Sequence, residues 1–319
     1  MQYLASELKW YDNSLESALA LYRRGLPPLV TLPTLAFLFG VSPSLVASIV
    51  AAPEAHYRHF TIPKATGEPR SISTPRVVLK TIQRWIHDWI LPHANLHRDA
   101  HAFRKSRSIF SNAQSHVGQV NLLAVDLADF FGSVRFEQVA AIYEDLGFPW
   151  VVAAQLASLS TLGGSLPQGA PTSPALANAV FHDIDVMLAE FANGRTASYS
   201  RYADDLAFSS TYHRFSVSDV DAVSGIVGVG GFRLNPRKTQ IVGGGYRHQV
   251  AGLSVASHPQ PPRWKRRRWR AMFHQASVDP SSFQNEAAKL AGVASFVNQY
   301  RPDLAESYME IAIRASRTP

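Results

Sequence analysis

The sequence contains no cysteine. That absence excludes a disulfide scaffold, a thiolate zinc site and thiol catalysis. It also has little uninterrupted apolar sequence. The most apolar early stretch, Leu26 to Val41, is broken by Pro27, Pro28 and Pro33 and is too short to span a bilayer. The opening Met-Gln-Tyr-Leu-Ala-Ser-Glu lacks the charged start and apolar core of a signal peptide. No membrane partner is therefore expected, and a cytoplasmic location is. Carboxylates are missing from one long segment: the 57 residues between Asp221 and Asp279 hold none, against ten Lys or Arg. The remaining 262 residues carry 21 basic and 24 acidic side chains, a net of −3 within an overall +7. A slightly acidic body with one strongly basic segment points to a polyanion partner.

What is present is ordinary globular sequence, with 46% hydrophobic residues over 319 positions, enough for a large core with one or two small lobes. The first fifty residues read as short helices: Ser14 to Tyr22, Thr34 to Phe39, and Pro43 to Val50 capped by Ser42. Two strands, 60–63 and 70–73, flank a turn at Lys64 to Pro69. An apolar stripe, Val78, Ile82, Trp85, Ile86, Trp89 and Ile90, predicts a helix. Asn121 to Leu127 reads as a buried strand with Asp126 at its end. A helix follows on Phe136, Val139, Tyr143 and Leu146, then a loop from Gly163 to Gly169, then one long helix on Leu176, Val180, Ile184, Leu188 and Phe191. Ser198 to Tyr202 and Leu206 to Ser209 form a hairpin around Ala203-Asp204-Asp205, with further strands at 232–234 and 249–255 and helices at 270–277 and 285–295. The fold class is α+β.

A lone Asp-Asp pair is ordinarily a solvated turn. Asp204 and Asp205 instead sit between apolar, β-prone segments, and a second buried strand delivers Asp126. Three carboxylates on adjacent strand ends suit divalent magnesium, which takes oxygen ligands and shares them with substrate phosphates. Two such ions would serve an in-line displacement on phosphorus.

Three segments carry a resemblance. Tyr202-Ala203-Asp204-Asp205 resembles the catalytic hairpin of reverse transcriptases, Val125-Asp126-Leu127-Ala128-Asp129-Phe130-Phe131 the strand that supplies their third metal ligand, and Leu166-Pro167-Gln168-Gly169-Ala170-Pro171-Thr172-Ser173-Pro174 the loop beneath the incoming nucleotide. They occur in the family's order, with 78 residues from Asp126 to Asp204, and the likeness runs from about Tyr57 to Val255. It implies a right-hand polymerase: N-terminal helices (1–55), a fingers and palm core (56–255) and a basic helical thumb (256–319). It also implies magnesium-dependent, RNA-templated synthesis from dNTPs, with two ions held by Asp126, Asp204 and Asp205. Phe131 falls at the aromatic gate beneath the sugar, Gln168 at the nucleotide or template, Lys64 and Arg70 at the triphosphate, and Lys238 beside the departing pyrophosphate. Ordinary readings stand beside these: core packing for Phe131, and solvated charge for Lys64, Arg70 and Lys238.

Ser111-Asn112-Ala113-Gln114-Ser115-His116 resembles an Asn-Ala-x-x-His element of bacterial retron reverse transcriptases. Asn112 and His116 are expected to order the site or contact RNA, although a histidine alone is more often structural. Val250-Ala251-Gly252 resembles that group's Val-Thr-Gly, with Ala251 where those relatives carry threonine. The resemblance implies a cognate structured non-coding RNA, priming from a guanosine 2′-hydroxyl, a small single-stranded DNA branched from RNA by a 2′,5′ linkage (msDNA), and antiviral defence beside a separate effector protein. A non-retron bacterial enzyme of group II intron or other defence type, and a catalytically silent RNA-binding relative, stay open.

The run Arg263-Trp264-Lys265-Arg266-Arg267-Arg268-Trp269-Arg270 puts six cations in eight residues, ahead of helical sequence. Cations can neutralise phosphates while tryptophan stacks on bases or sugars, which fits a lobe closing on a primer–template. The two tryptophans, five residues apart, do not share one helical face, and packing into the lobe's core is the alternative.

Overall fold

The computed structural model describes residues 12–63, 69–244 and 248–317. Three short helices, α1 (Asp12–Arg23), α2 (Leu32–Phe39) and α3 (Pro43–Ala51), come first. Their ends obey local chemistry. Gly40 closes α2 at φ +59°, returning its N–H to Ala36 and Phe37. Ser42 caps α3 by accepting from the Leu45 N–H, with Pro43 in the first turn. Among the described residues no single helix is long and apolar enough to cross a membrane.

Strands β1 (Tyr57–Pro63) and β2 (Pro69–Pro75) pair antiparallel from Tyr57↔Pro75 to Pro63↔Pro69, and most of the ribbon is exposed. Helix α4 (Val77–Trp89) follows. It buries Leu79, Ile82, Gln83 and Ile86, whereas Val78 and Trp89 face solvent, so the buried stripe is rotated from the predicted one. A polar Gln83 is tolerated there because its amide donates to the Tyr57 hydroxyl (2.8 Å) and the Leu159 carbonyl (2.7 Å).

Helix α5 (Ile109–Gln114) leads into β3 (Asn121–Ala128), which is followed by α6 (Phe130–Ser133), α7 (Phe136–Asp145) and α8 (Trp150–Ser160). The predicted single helix over 176–191 is two, α9 (Ser173–Val180) and α10 (His182–Asn193). Phe181 departs from helical geometry between them (ψ 0°) and turns its ring edge-on to Phe130 and Phe232 in the core. The hairpin β4 (Ser198–Tyr202) and β5 (Asp205–Ser210) comes next, then α11 (Val217–Val229), β6 (Arg233–Leu234), β7 (Gln240–Val242), β8 (Gln249–Val250) and β9 (Leu253–Ser254). The central sheet has the order β4-β5-β3-β6, with β7 also pairing with β3. Strand β3 is therefore interior, which explains why it is apolar on both faces.

The chain ends in α12 (Arg263–Val278), α13 (Ala287–Asn298) and α14 (Pro302–Arg317). These helices have their own core of Phe273, Leu290, Ala294, Val297, Tyr308 and Ala312, with Phe273 stacked on Tyr308. They dock on the sheet body through Phe110 of α5, whose ring meets Phe296 at 5.2 Å and Tyr300 at 5.8 Å. The basic run does not precede this helix, as predicted, but forms its first half.

Candidate active site

The β4–β5 hairpin closes through two residues, Ala203 and Asp204, with Tyr202 paired to Asp205. So tight a turn needs left-handed backbone, and Ala203 supplies it at φ +59°. A non-glycine residue held there stores strain, as functional turns often do. Antiparallel pairing sets Asp126 of β3 directly opposite Asp205, and the Leu127 N–H donates to the Asp204 carbonyl at 2.9 Å. Sheet register thus brings Asp126 opposite the adjacent pair Asp204 and Asp205.

Their electrostatics are unfavourable as they stand. Asp126 is buried, and its carboxylate accepts from the Lys238 ammonium (2.6 Å) and the Asn235 amide (3.2 Å). Lys238 is correspondingly raised, first by that hydrogen bond. Asp205 reaches solvent, yet desolvation and then the charges of Asp204 and Asp126 lift its carboxyl to about 6. Asp204 is raised as well, first by desolvation, with the charges of Lys238 and Arg70 acting the other way. Among the described residues no three carboxylates or imidazoles stand close enough together to form a ready metal cluster, and the Asp126 carboxylate is paired with Lys238. The donor set nevertheless fits a hard divalent cation. It offers only oxygen ligands, it is crowded with negative charge, and among the described residues Lys238 is the one cation paired with Asp126.

Beneath the turn lies a buried polar layer that the sequence did not reveal. Arg201 and Asp185 are both fully buried and form a two-pronged pair, Nε to Oδ1 at 2.8 Å and Nη2 to Oδ2 at 2.7 Å. Arg201 Nη1 also donates to Asn178 Oδ1 (2.9 Å) and to the carbonyl of Ala203 itself (3.1 Å). The Tyr199 hydroxyl donates to Asp185 at 2.6 Å. The arginine therefore tethers the strained residue of the hairpin from below. The available signal was an arginine next to the hairpin motif, in a strand otherwise made of serine and tyrosine.

The sequence of the reverse transcriptase (RNA-dependent DNA polymerase) family matches residues 62–272. Curated relatives include the retron Mx162 enzyme of Myxococcus xanthus, 30% identical over 99% of this chain and 76% of that protein. The retron Mx65 enzyme of the same organism is 33% identical over 90% and 72%, and the retron Ec86 enzyme of Escherichia coli is 30% identical over 86% and 85%. The chain belongs to the retron reverse transcriptases. It is an RNA-directed DNA polymerase with a right-hand fold, and its partners are nucleic acids.

Within this retron reverse transcriptase the remaining site residues fall as follows. Phe131 packs against Phe130 and Phe103 and lines a cavity of about 660 Å³. Gly169, Ala170, Pro171, Ser173 and Pro174 line the same cavity, together with Lys80, Arg84, His87 and Asp88 of α4. Gln168 joins that segment to the β1–β2 ribbon, its carbonyl accepting from the Ser73 N–H at 2.9 Å. Gly169 lies so close (φ +122°) that a Cβ would stand 2.9 Å from Ile72 and 3.0 Å from the Ser73 carbonyl. Arg70 is exposed on β2, while Lys64 lies outside the described residues.

Asn112 and His116 need correction as RNA contacts, because both are buried. His116 bridges the two hairpin strands, Nδ1 to Ser209 Oγ (2.6 Å) and Nε2 to Ser200 Oγ (2.7 Å), and burial lowers its pKa to about 3. It is a neutral strut under the aspartates. Ala251 and Gly252 form the β8–β9 turn at φ +47° and +76°, a geometry hostile to a β-branched threonine. On α12, Arg263, Trp264, Arg267, Arg268 and Arg270 are exposed, whereas Lys265, Arg266 and Trp269 turn partly inward. The two tryptophans part company: Trp269 packs edge-on to Phe296 under the Lys265 ammonium, and Trp264 stays 64% exposed. The cations crowd the positive end of the helix dipole, and none of Arg263, Arg267, Arg268 and Arg270 pairs with a carboxylate among the described residues.

Proposed function

We propose that this enzyme copies part of a cognate structured non-coding RNA by two-metal nucleotidyl transfer, starting from a guanosine 2′-hydroxyl. The product is a small single-stranded DNA branched from the RNA by a 2′,5′ linkage. The complex acts in the cytoplasm in antiphage defence beside a separate effector protein. The observation that carries the chemistry is the facing of Asp126 and Asp205 across the β3–β5 register, with Asp204 beside them. The retron character of the relatives supports the RNA and the branched product.

In this reading Asp126, Asp204 and Asp205 hold two magnesium ions, which supply activation of the attacking hydroxyl and charge neutralisation at the leaving pyrophosphate. Lys238, already beside Asp126, delivers a cation where phosphate charge develops. Phe131 closes the floor beneath the sugar and disfavours an added 2′-hydroxyl, while the Gln168 loop and Arg70 position the nucleotide. The exposed cations of α12, with Trp264, track the duplex backbone.

The test is co-expression of the enzyme with its RNA locus, followed by isolation of nucleic acid. A short DNA covalently joined to RNA is expected, sensitive to debranching and absent for Asp204→Asn or Asp205→Asn. Synthesis by both variants would sink the metal assignment; unbranched DNA would sink the retron product. Removing Arg267 and Arg268 together should lower the salt slope of duplex binding by about 0.9 per lost phosphate contact.

A further inference from the structure

The ring of Phe131 does not stand alone. It meets Phe130 at 5.5 Å between centroids and Phe103 at 6.3 Å. Phe130 belongs to the core, packed against Phe181 and Phe232. Phe103 is different. It leaves 48% of its surface exposed, lines the same cavity as Phe131, and does so from left-handed backbone at φ +59°. A bulky residue rarely takes that conformation, and a half-exposed ring gains little from burial to offset the strain.

The chain around Phe103 is built to hold it there. Before it, the His101 N–H donates to the Arg201 carbonyl (2.8 Å), and the Ala102 carbonyl accepts from the Asn178 amide (2.8 Å). After it, the Arg104 guanidinium donates to the carbonyls of His97 and Ala100, which ties the loop to itself. Arg201 and Asn178 are members of the buried layer that tethers Ala203. One frame therefore fixes two left-handed residues, one in the aspartate hairpin and one beside Phe131. Core packing explains neither the exposure of Phe103 nor its strain.

A steric gate excludes an extra oxygen only as far as its ring cannot move aside, because a small overlap is relieved by neighbours that yield. We propose that Phe103 is a positioning residue for sugar selection: it backs the Phe131 ring and keeps it from yielding to a 2′-hydroxyl. This rests on the reading of Phe131 as the floor beneath the sugar and adds what makes that floor stiff. Phe103 acts through Phe131 and not on the reacting atoms.

The experiment uses the full-length protein extending an annealed primer on an RNA template, with dGTP or GTP opposite cytosine. The readout is the ratio of kcat/KM for the two nucleotides. Phe103→Ala should lower the preference for dGTP by about three- to tenfold, the worth of one aromatic pair, through faster use of GTP. Phe103→Tyr keeps the ring and should hold the wild-type ratio. Phe103→Gly should lose selectivity as Phe103→Ala does, yet melt at a higher temperature than that variant, because glycine takes left-handed backbone without strain. In a Phe131→Ala background, Phe103→Ala should change the ratio no further. A purely structural role would slow both nucleotides in proportion, so an unchanged ratio in Phe103→Ala overturns the proposal. A further loss of selectivity in the Phe131→Ala background overturns it too. If Phe131→Ala by itself leaves the wild-type preference intact, the sugar-gate reading of Phe131 falls and takes the role of Phe103 with it.

Discussion

The pair beneath the hairpin makes the sharpest test of how the site is held. Asp185→Asn keeps the shape of the side chain but removes its charge, leaving the fully buried Arg201 guanidinium without its counter-ion. Breaking a buried pair from one side costs about 3–5 kcal/mol. Against a total stability of about 5–15 kcal/mol, the variant should stay folded at 25 °C and unfold at a clearly lower urea concentration. Replacing both partners, Arg201→Met with Asp185→Leu, removes the uncompensated charge and should restore much of that loss. Recovery stays incomplete because Asn178 and the Tyr199 hydroxyl lose partners, at about 1–3 kcal/mol for each group left buried and unbonded. Synthesis should not recover with stability. The Arg201 bond to the Ala203 carbonyl is gone in the double variant, and a displacement of the turn by about 1 Å would cost on the order of 100-fold in rate. Urea unfolding followed by tryptophan fluorescence, beside primer extension on a fixed template, separates the two effects. If the double variant synthesised DNA at the wild-type rate, the tether would have no role in positioning the aspartates. If Asp185→Asn unfolded at the wild-type midpoint, the reasoning about the buried charge would be wrong.

Asp205 titrates at about 6 when folded against an ordinary 3.8, so the folded protein binds more protons between these values and its stability falls as pH rises from about 4 to about 6. Asp205→Asn should flatten that fall and raise the melting temperature at pH 7 in chelator, as read by differential scanning fluorimetry, while ending synthesis. His116 has the opposite sign: its folded value near 3 lies below an ordinary 6.5, so stability is lost as pH drops from about 6.5 to about 3. His116→Gln should soften that acid limb, followed by circular dichroism; an unchanged limb would mean that the imidazole is not buried. Gly169→Ala puts a Cβ against Ile72 and Ser73 from a left-handed backbone, costing about 1–3 kcal/mol. Faster amide exchange over 69–75 and a higher KM for dNTP should accompany it.

Much of this enzyme is written locally. The aspartates, the hairpin and the loop over 166–174 are contiguous motifs whose residue types declare their chemistry, and strand β3 announced its burial by an apolar run ending in Asp126. The charge asymmetry located the basic segment without any structure, but not that the run is itself helical. Periodicity failed where a polar residue found buried partners, as Gln83 did, and where Phe181 traded helical geometry for ring packing. His116 is the instructive case. Its motif was visible, but its partners Ser200 and Ser209 are more than eighty residues away, and only the folded sheet shows that it braces the hairpin. The same holds for Arg201 with Asp185, for Lys238 reaching Asp126, and for the separate fates of Trp264 and Trp269. By itself the sequence determined which chemistry is present, because carboxylates, cations and turn formers act through their own covalent structure and near neighbours. The tertiary structure alone decided which of these groups are neutralised, buried or free, because desolvation and pairing depend on what the fold brings within a few ångströms.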